Sequence, residues 1–98
     1  MPLLKDVKNY LKITWDDEDE SLRGMILRGQ ANLQDLTGTI MDFEQEGQPK
    51  SLLLDYCRYA YNNAIEYYEE NFHKEILRLQ LTEAVKESVG EKRQDADC

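Results

Sequence analysis

The chain has 98 residues and a net charge of −8, from 20 acidic and 12 basic side chains. A chain of this length makes one domain with a modest core. Its acidity removes any general attraction for phosphate backbones, and Lys92-Arg93 is only a short basic cluster. No apolar run approaches the ~20 residues of a membrane span, and MPLLKDVKNY lacks the apolar stretch of a signal peptide. The expected compartment is therefore the cytoplasm, where a disulfide between Cys57 and Cys98 is not expected.

Two prolines and five glycines leave few breaks, so the composition favours helices. Leu3, Leu4, Val7, Tyr10 and Leu11 recur at spacings of three and four, which predicts a first helix over 2–12. Thr14 or Asp16 is the expected cap of the second helix. The run Asp16-Asp17-Glu18-Asp19-Glu20 suits its first turn, because negative charge there offsets the helix dipole. The glycine and terminal glutamate of a calcium loop are not at the required spacing.

Leu22, Met25, Ile26, Gly29, Leu33 and Leu36 put one stripe on the second helix. Glycine inside a helix costs about 1 kcal/mol relative to alanine, so Gly29 suggests a close crossing by another helix. Gly38 reads as the C-terminal stop. Residues 39–48 form a loop in which Ile40, Met41 and Phe43 pack down or contact a partner.

Pro49 opens a third, long helix that is expected to run to about Asn71. On a helical wheel Leu53, Leu54, Ala60, Tyr61, Ala64, Ile65, Tyr68 and Phe72 cluster around Cys57. Leu52 and Tyr59 fall on the polar side, near Glu70. A last helical pattern, bent away near Asn71, carries Leu77, Leu81, Ala84 and Val85 on one face, with Ile76 and Leu79 pointing elsewhere. Gly90 and the residues after it read as a frayed tail. The expected fold is therefore all-α: an irregular four-helix domain over 1–89 with a long central helix, and a disordered tail over 90–98.

No catalytic pattern stands out. His73 is the only histidine, beside Lys74 and Glu75, and reads as a solvated helix-end residue. Glu66, Glu69, Glu70 and Glu75 could suggest a carboxylate metal site. Di-iron bundles, however, carry their Glu-x-x-His motifs on inward faces, whereas Glu66 and Glu69 face away from the core, so the group reads as a solvated face. Cys57 sits among apolar neighbours as a core residue. No enzyme activity, cofactor or metal is expected. Tyr61 and Tyr68 read as core. Leu52 and Tyr59, with Ile76 and Leu79, are the candidate subunit interface, since rigid amphipathic tyrosines favour interfaces. On this reading Tyr59→Glu would spare folding and block assembly.

The order of elements resembles the phage head–tail connector family, also called adaptor or DNA-packaging proteins, of tailed phages and prophages. The likeness runs over residues 2–85. It rests on Leu11-Lys12-Ile13 closing a short helix, the acidic start Asp16-Asp17-Glu18-Asp19 and Leu36-Thr37-Gly38 closing the next. Pro49-Lys50-Ser51-Leu52 then leads a helix with Asp55-Tyr56 and Tyr59-Ala60 that runs on into Asn63 and Glu69, Asn71 and Phe72. The resemblance implies a non-catalytic, all-helical subunit of the virion neck, made in the host cytoplasm. It implies a ring of about a dozen copies under the portal protein, which extends the DNA channel and docks a downstream neck or tail protein after packaging. DNA would pass through without specific binding, and no membrane is involved. The competing reading is a small helical interaction or regulatory module with no virion role, binding a host protein through Tyr59 and the 39–48 loop.

Overall fold

The computed structural model describes residues 2–97, with side chains described through Lys86. Among these residues the chain is all-helical: α1 (Pro2–Leu11), α2 (Asp19–Thr37), α3 (Gln48–Tyr61), α4 (Tyr68–Asn71) and α5 (His73–Asp97), with a 3₁₀ turn at Ile65–Tyr67 before α4. α3 is the centre, packed against α1, α2, α4 and α5.

In α1, Leu3, Leu4 and Val7 turn one face inward and are buried. The helix stops at Lys12, whose φ of 61° is left-handed. The Ile13 N–H then donates back to Lys8 O at 2.8 Å, a wrap that satisfies a terminal carbonyl. No glycine marks this stop, and Ile13 is pulled into the core as a result.

The second helix begins at Asp19, with Asp19 and Glu20 in its first turn, so the acidic run does open a helix. Neither Thr14 nor Asp16 caps it: the N-cap residue is Glu18, and no side-chain cap bond forms. Asp16 and Asp19 are instead held by Lys8 Nζ, at 2.6 and 2.8 Å. The helix ends at Gly38, left-handed at φ 72°, as expected from the sequence.

Gly29 makes room for a close helix crossing. A Cβ built there would lie 2.6 Å from Leu53 Cδ1 and 2.8 Å from Tyr56 Cδ1. The close crossing inferred from glycine in a helix is therefore real, and its partner is α3. Leu22, Ile26, Leu33, Leu53 and Cys57 fill the space around it with no exposed surface. Burying such a side chain is worth about 1.5–3 kcal/mol.

The expected long third helix is broken. α3 ends at Tyr61, and Asn63 adopts the left-handed conformation at φ 57°. The Ala64 N–H donates back to Tyr59 O at 2.8 Å. This is the same wrap that ends α1, and asparagine is the residue other than glycine most often found there. The chain then doubles back, so that Tyr68 and Phe72 arrive beside α3 rather than above it. Ile65, expected inside, is 40% exposed in the turn.

Helix α5 starts at His73, close to the bend expected near Asn71. The tail expected over 90–98 lies beyond the described side chains: the backbone of α5 is helical to Asp97, and Cys98 falls outside the described residues.

Candidate functional site

The four residues singled out as surplus are not surplus. Leu52 is 2% exposed, Ile76 7% and Leu79 1%. Tyr59 is half-buried, with its ring edge-on to Tyr68 and Phe72 at centroid separations of 6.1 and 5.5 Å. Its hydroxyl accepts a hydrogen bond from Asn71 Nδ2 at 2.9 Å. What covers Leu52 and Tyr59 is the segment after the Asn63 turn. Tyr68 is 1% exposed and donates its hydroxyl to Leu52 O at 3.1 Å. The side of α3 that a continuous helix would leave free is thus closed by the chain itself, and Tyr59→Glu would damage the fold.

Helix α5 is turned over relative to its apolar pattern. Leu77, Leu81 and Val85 stand 46%, 60% and 61% exposed, with Ala84 exposed beside them, while Ile76, Leu79 and Glu83 face inward. Polar tethers explain the choice. Gln80 Nε2 donates to Leu36 O at 2.8 Å, the Thr39 hydroxyl to Glu83 at 3.2 Å, and Gln48 Nε2 to Glu75 O at 3.0 Å. These bonds join α5 to the end of α2 and to the 39–48 loop, and they fix its rotation. Lys74 and Arg78, both exposed, border the outward stripe, and neither makes an ion pair among the described residues.

The loop divides its three apolar residues. Phe43 is buried, Met41 packs against the core and Ile40 is 92% exposed. Beside Ile40, an open groove of about 390 Å³ lies between the loop and α5. Met41, Pro49 and Leu79 contribute its apolar lining, Asp42 and Glu46 its acidic rim. The loop is anchored through Lys50, a buried lysine whose Nζ reaches Glu46 at 2.7 Å and Asp6 at 3.0 Å. Its pKa is raised, by Glu46 first and Asp6 second, so it stays charged.

Among the described residues the candidate reactive side chains are either buried or exposed and set apart. Burial pushes the Cys57 thiol up to about 12, which keeps it protonated and unreactive at neutral pH. Burial likewise raises the pKa of the Tyr68 hydroxyl. His73, Glu66, Glu69 and Glu75 are all exposed. Among the described residues no three His, Cys, Asp or Glu side chains lie close enough to hold a metal ion. No helix among them is long and apolar enough to cross a membrane.

Sequence reasoning missed the outward stripe for a specific reason. Leu77, Leu81, Ala84 and Val85 were visible as one face, but that face was the more apolar of two and so read as the inner one.

Among the described residues the chain is a small all-α body with a packed centre and an apolar helix face turned to solvent. The comparison with protein families goes further. The family model described as "Phage gp6-like head-tail connector protein" matches residues 1–93. The chain therefore belongs to that family, whose role in the virion is structural. Comparison with characterised proteins and with solved structures returned no match.

Proposed function

We propose that this chain is the head–tail connector of a tailed phage or prophage, assembling as a ring beneath the portal protein after the genome is packaged. The ring extends the DNA channel and offers its far side to a neck or tail protein. The chain performs no reaction there. The observation that carries this reading is the family match over 1–93, nearly the whole chain. The stripe Leu77–Leu81–Val85 supports the ring: a monomer leaves it in water, whereas head-to-tail neighbours in a closed ring cover such a face in every copy.

The test is electron microscopy and native mass spectrometry of the purified chain, alone and mixed with the portal protein of the same genome. Closed rings on the portal are the expected result. Absence of both rings and portal binding across salt and concentration would overturn the proposal.

A further inference from the structure

If the chain closes into a ring, each copy needs two different surfaces that fit each other, set on different sides of the subunit. We infer that the outward stripe of α5 in one copy docks into the groove between the 39–48 loop and α5 of the next copy. This rests on the ring reading and adds which surfaces meet.

Placement comes first. At ~100° per residue, the directions of Leu77, Leu81, Ala84 and Val85 centre about 165° from those of Leu79, Thr82, Glu83 and Lys86, which line the groove. The two surfaces therefore lie on nearly opposite sides of one helix. That arrangement cannot close on itself within a chain, and it favours propagation from copy to copy over a two-fold pair. Both surfaces are also apolar at the centre. The stripe offers three large aliphatic side chains, and the groove offers Ile40, the most exposed large apolar residue among those described, with Met41 and Pro49 behind it.

Charge supplies the direction. The stripe is bordered by Lys74 and Arg78, a basic edge with no ion pair among the described residues, on a chain with net charge −8. The groove presents Asp42 and Glu46 on its rim, Glu46 already paired with Lys50 at 2.7 Å, and its own Lys86 is paired with Glu83 at 3.2 Å. A stripe laid against another stripe would oppose Lys74 and Arg78 to themselves. A stripe laid in the groove sets them against carboxylates. Such complementarity selects the partner surface and suppresses the wrong pairing.

The decisive experiment uses two surface variants, Leu81→Glu, which spoils the stripe, and Ile40→Glu, which spoils the groove. Both sites are exposed, so melting of each variant should match the unaltered chain. Each alone, with or without portal protein, should need at least about tenfold more protein to assemble. Mixed together they should form one-to-one pairs and stop, because each retains one working surface and the two are complementary. If the unaltered chain assembles and either variant assembles equally well, the inference fails while the ring reading stands. The inference also fails if both variants stay single and their mixture forms no pairs. Where the unaltered chain itself never assembles, on portal or off it, the ring reading fails and takes this inference with it.

Discussion

The crossing of α2 over α3 and the outer face of α5 are built from the same residue types and put them to opposite uses. At the crossing there is no room for a methyl group: Gly29 is the space, and Leu53 and Tyr56 fill it. On α5, Leu77, Leu81 and Val85 turn about half of their surface to solvent. Apolar content alone does not separate a core from an exposed face. The separation comes from which side of each helix the polar tethers turn inward.

Matched truncations give the sharpest test of this contrast. Leu33→Ala removes a fully buried side chain, and a loss of about 2–5 kcal/mol is expected in urea or thermal unfolding. Leu77→Ala, the same change on the stripe, should fall within about 0.5 kcal/mol of the unaltered chain. Equal losses at the two sites would mean that the stripe is packed in the monomer and that the contrast is false.

Gly29→Ala comes next. Overpacking costs about 1–3 kcal/mol, set against the roughly 1 kcal/mol that alanine gains in helix propensity. The net expectation is a modest loss of stability in the same unfolding measurement. A gain would show that Leu53 and Tyr56 give way easily and that the crossing is looser than its distances.

The smallest effect is electrostatic. The bond to Lys8 holds the Asp16 carboxyl below its ordinary 3.8. Hydrogen bonds from Trp15 first and Tyr61 second hold Glu18 below its ordinary 4.5. In both cases the unfolded chain takes up a proton before the folded one, so the contribution is complete above these ordinary values. It is lost as the pH falls through them toward the lowered ones. Asp16 is exposed and Glu18 partly so, and both are screened by solvent, so a slight drop in melting temperature below about pH 4.5 is expected, reduced by Glu18→Gln. A melting temperature that rises on acidification in that range would contradict the assignment.

Much of the fold was legible in the residues. Helical spacing gave the all-α class, Gly38 gave the end of α2, and Gly29 gave a close crossing before its partner was known. Two features were not legible, and each has a physical cause. The break after Tyr61 depends on Asn63 accepting a left-handed turn, which asparagine tolerates but does not require. Its reward is remote: Tyr68 and Phe72 brought onto the far side of α3. A wheel drawn through residues 52–72 as one helix cannot contain that return. The rotation of α5 depends on Gln80, Thr39 and Gln48 reaching across elements, and on a buried carboxylate, Glu83, that dilutes the apolar signal of the inner face. The four residues proposed for the interface inherited both errors. The family, by contrast, was legible, because it rests on the order of helices and their end signals rather than on which face points where.

Lys50 carries a consequence for timing. Because its ammonium holds Asp6 of α1 and Glu46 of the loop at once, the acidic lip beside Ile40 is already in position in the single subunit. In the proposed ring a neighbour arriving there would meet a formed edge, with little chain entropy left to lose on contact. This buried lysine would in that ring bear on how readily one subunit follows another.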